Sequence, residues 1–183
     1  MLIANQKKKE NIAEYIIYMY QIEDVVRAYN FDLDAIIQSF VSPQLPDESF
    51  LNDYKKWYQN IINQMVSQNI QKQGHINDVN DVMVELSYLH NMLLSMVKDQ
   101  KYIDLYEVAV KNIEAFKEKS NLKDKNQIEI AFHALYMKLL MKLQKKEISP
   151  NTEDAFDSMR ILLAYLSKSY HKMKNGDLDF LNN

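Results

Sequence analysis

Five residues out of 183 carry backbone chemistry that stops a helix: Gly74, Gly176, Pro43, Pro46 and Pro150. Inside a helix, glycine costs about 1 kcal/mol and proline about 3 relative to alanine. A chain this poor in both can run in long helices, and its apolar residues recur at three and four rather than at two. No alternation lasts long enough to make a strand. The five residues therefore mark joints. Gly74 and Gly176 suit left-handed positions just past helix ends, Pro43 and Pro46 bracket one loop, and Pro150 suits a first helical turn.

Read between those joints, the pattern predicts seven helices, over about 5–29, 32–41, 47–73, 77–99, 102–119, 125–146 and 149–174, with Asp47 and Asn77 as caps. The closing "GDLDFLNN" is expected to lie against the body or fray. Long helices with short joints pack against antiparallel neighbours. The expected fold class is all-α: a single antiparallel bundle of about six long helices plus one short helix, one domain over residues 1–183.

With 47% hydrophobic and 26% charged residues, such a bundle has a core large enough to fold without staples. The chain has no cysteine, which removes disulfides, thiolate metal sites and a cysteine nucleophile. The start "MLIANQKKKE" puts its lysines after the apolar residues, the reverse of a secretory signal. Apolar runs such as "YIIYMY" and "ILLAYL" reach six residues, where a membrane span needs about 20. The chain is thus expected to be cytoplasmic, with no membrane partner. A net charge of −3 and just two arginines, Arg27 and Arg160, supply phosphate binding poorly, so no nucleic-acid partner is expected.

Placed at helical steps, the first helix carries Ile12, Tyr15, Ile16, Tyr18, Met19, Ile22, Val25, Val26 and Tyr29 over about half its circumference. That is wider than one contact needs, so the helix is central or meets a second subunit. Glu23 and Arg27, four apart at the edge of this arc, read as a boundary ion pair or, alternatively, as a functional carboxylate with its partner. In the last helix Ile161 and Tyr165 lie off the main stripe of Phe156, Met159, Leu162, Leu163, Leu166 and Tyr170, and are the candidate interface.

Two histidines fall within apolar arcs. His90 in "LSYLHNMLL" is either a hydrogen-bonded core residue or a metal or catalytic one. His133 in "IEIAFHALYMKLL" lies one turn beyond Glu129, a spacing that also serves metal ligation or a carboxylate-oriented imidazole. His75 reads as a joint residue and His171 as a surface residue. Glu-x-x-His pairs of di-iron bundles, His-Glu-x-x-His and a glycine-rich phosphate loop are all missing from the sequence. The aromatic stripe Tyr54, Trp57, Tyr58, Ile61, Met65 reads as core. Lys138, Lys142, Lys145 and Lys146 read as a solvated face.

The stretches "KKKENIAEYIIYMYQIEDVVRAYNFD", "SYLHNMLL", "ALYMKLLMKLQKKEIS" and "GDLDF" resemble an uncharacterised Bacteroidetes protein family, an all-helical domain of unknown function, over nearly the whole chain. The resemblance implies one helical domain and a bacterial cytoplasmic setting, and it transfers no site and no cofactor. The expected function is a non-enzymatic helical module that self-associates, as a dimer, or binds another protein. The alternative is an enzyme or binding protein whose metal or acid–base site unites His90, Glu129 and His133, with Glu23 a further candidate, inside the bundle; with Arg27 these residues make up the candidate polar cluster. A third possibility is a small-molecule pocket walled by methionine and aromatic groups.

Overall fold

The computed structural model describes residues 3–177; the expectation for the tail from residue 178 onward lies outside them. Among the described residues there are eight α-helices and no strand: α1 (Ile3–Glu10), α2 (Ile12–Ala28), α3 (Leu33–Ile36), α4 (Leu51–Ser67), α5 (Asn77–Ser95), α6 (Gln100–Glu118), α7 (Gln127–Leu143) and α8 (Pro150–Asn175). The fold is an all-α helical bundle, as the spacing predicts.

α8 is its post, packed against α2, α5, α6 and α7. It runs antiparallel to α6: Tyr165 reaches Asp99 while Ser158 reaches Asn112. The apolar width expected to serve a second contact is therefore used largely within the chain. α2 likewise packs on α1, α7 and α8, and buries Ile12, Tyr15, Ile16, Met19, Tyr20, Ile22 and Val26.

Caps explain where the boundaries differ from expectation. The first helix is two, broken at Asn11. Its extended backbone frees the amide groups that follow, and its side chain accepts from Ala13 (3.1 Å) and Glu14 (3.3 Å). α8 completes the cap. The Ser167 hydroxyl donates to Asn11 Oδ1 at 3.0 Å, and His171 Nε2 accepts the Ile12 N–H at 3.1 Å. His171, expected on the surface, is thus half-buried at a helix junction.

α4 stops at Ser67, not near Gln73, because Asn69 takes the left-handed conformation (φ 57°) and the Ile70 N–H returns to the Met65 carbonyl. Gly74 does have positive φ, but in the connection that follows rather than at a helix end. Gly176 and Pro150 sit where expected, at the C-cap and first turn of α8. Asn77 is the first residue of α5, with Ile76 as its cap.

Lys138 corrects the reading of α7's polar face. It is 9% exposed, and its ammonium bridges Glu153 (2.7 Å) and Asp157 (3.1 Å) of α8. Burial pulls its pKa down, but the hydrogen bonds it donates to the two carboxylates outweigh that and hold it above the ordinary lysine value.

Replacing Asn11 by alanine removes both cap bonds and the acceptor for Ser167. The expected cost is about 1–2 kcal/mol, read from the urea midpoint. An unchanged midpoint would show that the junction does not depend on this cap.

Candidate functional site

The predicted polar residues separate into three places. Glu23, on α2, is 0% exposed. A carboxylate sealed this completely needs partners for both oxygens. It has them in the connection before α5: the His75 Nδ1–H donates to Oε2 at 2.6 Å and the Ile76 N–H donates to Oε1 at 2.9 Å. The His75 ring lies flat on Tyr20, centres 3.7 Å apart and planes 8° apart. His133 stands 5.6 Å from His75, ring centre to ring centre. Burial, His75 and Lys125 together push its pKa down to about 4, against Glu129 and Asp24. Burial drives the Tyr20 phenol well above its usual value, with Glu129 and Glu23 adding to the effect.

Arg27 does not pair with Glu23. Its Nη1 donates to Asp24 at 2.9 Å, and Nη2 donates to the carbonyls of Ile70 (3.2 Å) and Gly74. The Tyr136 hydroxyl donates to the other Asp24 oxygen at 2.7 Å. Glu23 and Arg27 together thus pin the α4–α5 connection onto α2, one through its side of the joint at His75–Ile76 and the other through Ile70 and Gly74.

His90 lies elsewhere, on α5, with its Nδ1 2.7 Å from the Tyr102 hydroxyl. Glu129 lies close enough to His133 and Tyr20 to act on their charge, but hydrogen-bonds to neither. It completes the capping box of α7, where its carboxylate accepts the Asn126 N–H (3.2 Å) and pairs with Lys125 (3.1 Å). The expected union of Glu23, His90, Glu129 and His133 does not form. Among the described residues no three histidine, aspartate or glutamate side chains gather as metal ligands. His75 is the partner that the sequence reading missed. A joint residue has no helical period to place it, and the one available signal was that buried Glu23 required a donor.

An open groove of about 660 Å³ lies between α2, α7 and α8. Its floor is apolar, with Ile17, Leu135, Leu139 and Leu163 among small residues such as Ala164. Lys138 and Lys142 of α7 and Glu153 and Asp157 of α8 also line it, paired with one another across the α7–α8 contact. Of the two interface candidates, Ile161 is 43% exposed and does not line the groove. Tyr165 is half-buried and its hydroxyl donates to Asp99 at 2.7 Å.

A family model described as Domain of unknown function (DUF4924) matches residues 1–177. No curated protein and no solved structure gives a significant match.

His90 and His133 set a pH dependence with a definite sign. Burial pushes both to about 4, below the ordinary 6.5. The unfolded chain therefore takes up protons before the folded one does. Stability from these residues is complete above pH 6.5, is lost as pH falls towards about 4, and levels off below that. His133→Phe should flatten this limb of urea midpoint against pH. An equally steep limb would contradict the assignment. Glu23→Ala should cost roughly 3–5 kcal/mol, the usual penalty for stranding one partner of a buried pair, by the same denaturation measurement.

Proposed function

The chain belongs to the DUF4924 family, and because that description names no activity we propose a function from the form of the surface. The protein is a non-enzymatic helical module, acting as one domain in a bacterial cytoplasm, that self-associates through the α2–α7–α8 groove. The occupant is a second copy of the same chain.

The observation that carries this reading is the open apolar floor of the groove, with Ile17, Leu135, Leu139 and Leu163. The charges beside it are already paired within the chain, Lys138 with Glu153 and Asp157, so the floor is what a partner would cover. A two-fold axis across the groove sets the floor of one copy against the floor of the other. Leu143 and Ile161, outside the groove lining, stand 59% and 43% exposed on α7 and α8. Exposed apolar side chains are the kind of surface a subunit contact covers. Among the described residues no three histidine, aspartate or glutamate side chains gather as metal ligands, so nothing here favours the alternative metal site.

Ala164 lines the groove and is itself exposed, so Ala164→Arg fills the groove without disturbing the core. Sedimentation equilibrium should find wild-type dimer and an Ala164→Arg monomer of unchanged far-UV circular dichroism. A wild-type monomer at every concentration would refute self-association. A dimer that survives Ala164→Arg would remove the groove as its site.

A further inference from the structure

A second hollow, of about 290 Å³, opens between α5, the end of α6 and the start of α7. His90 forms part of its wall, together with Glu114, Lys117, Lys125 and Gln127. The His90 ring is 7% exposed, and its Nδ1 is taken by the Tyr102 hydroxyl at 2.7 Å. Tyr102 is fully buried, and burial holds its phenol far above the ordinary value, so it keeps its proton. Its hydroxyl has no other partner among the described residues. That buried O–H must donate, and Nδ1 is the acceptor in reach. The imidazole proton then resides on Nε2.

Nε2 has no hydrogen-bond partner among the described residues. It is also not sealed away: among the described residues, the one buried side-chain nitrogen or oxygen without a partner is Arg27 Nε. Nε2–H therefore reaches the hollow as a donor awaiting an acceptor. Two acceptors of the wall are already taken. Glu114 Oε1 accepts from Gln127 Nε2 at 2.8 Å, and Gln127 Oε1 accepts the Tyr106 hydroxyl at 2.6 Å. Positive charge is in supply: Lys125 leans on Glu129, while Lys117 pairs with no carboxylate among the described residues.

We propose that this hollow binds a small oxyanion, a phosphoryl or carboxylate group, with His90 Nε2–H and the Lys117 ammonium as its donors. Charge-assisted hydrogen bonds from two directions are what such a group requires. Glu114 refines the choice. Its remaining oxygen repels a bare anion but accepts from an O–H on the ligand, which favours hydrogen phosphate over acetate. This site shares no residue with the groove and stands independently of self-association.

The test is a titration of the full chain at pH 7 with inorganic phosphate, acetate and chloride at matched ionic strength. The readout is the histidine side-chain nitrogen resonances. Phosphate should shift the His90 Nε2 signal to saturation, and Lys117→Ala, a change at the rim that leaves the fold intact, should weaken that binding roughly tenfold or more. Saturation by acetate with phosphate inert would assign the site to carboxylates. A shift that never saturates, that chloride reproduces, or that is unaltered in Lys117→Ala would overturn the proposal.

Discussion

The seating of α2 on α8 is the interaction on which the rest of this structure depends. α8 is long enough, at 26 residues, to serve several neighbours at once. α2 meets it end to end in opposite sense, Ile12 near His171 and Ala13 near Ser167. Apolar side chains supply the area, which is non-directional and sets no register. Register comes from the polar junction at Asn11, Ser167 and His171. There, the amide groups exposed by a helix break find acceptors on the neighbouring helix.

The other side of α2 shows the same logic. Glu23 could not be left in the core without partners, and the chain brings His75 and the Ile76 amide back across the joint to meet it. Arg27 fixes the same connection through backbone carbonyls. The polar residues that attract notice in the sequence as possible chemistry thus act mainly as fasteners. They hold together segments whose apolar faces alone would tolerate several registers. Two surfaces remain outside this accounting: the groove with its open apolar floor, and the hollow walled in part by His90.

Much of this was legible in sequence, and the exceptions share a cause. The scarcity of glycine and proline and the three–four spacing gave helices at nearly the right places, because those signals are local. The Pro150 turn and the Gly176 cap were readable for the same reason. What escaped were long-range polar contacts: the break at Asn11 supported from α8, the pairing of Lys138 with Glu153 and Asp157, and the Glu23–His75 contact. Periodicity says which face a residue occupies, not which partner the fold carries to it. Glu129 shows the reverse error. Its place one turn before His133 suggests chemistry, whereas a more local rule, the capping box opened by Asn126, claims its carboxylate.

Native-state hydrogen exchange tests the central claim most directly. If α2 and α8 form one cooperative unit, the amides of residues 16–26 and 162–166 open together. Their exchange free energies then equal the global stability measured by denaturant. Exchange of the α2 amides through a smaller opening, with α8 still protected, would show that α2 is a peripheral element and would contradict this account.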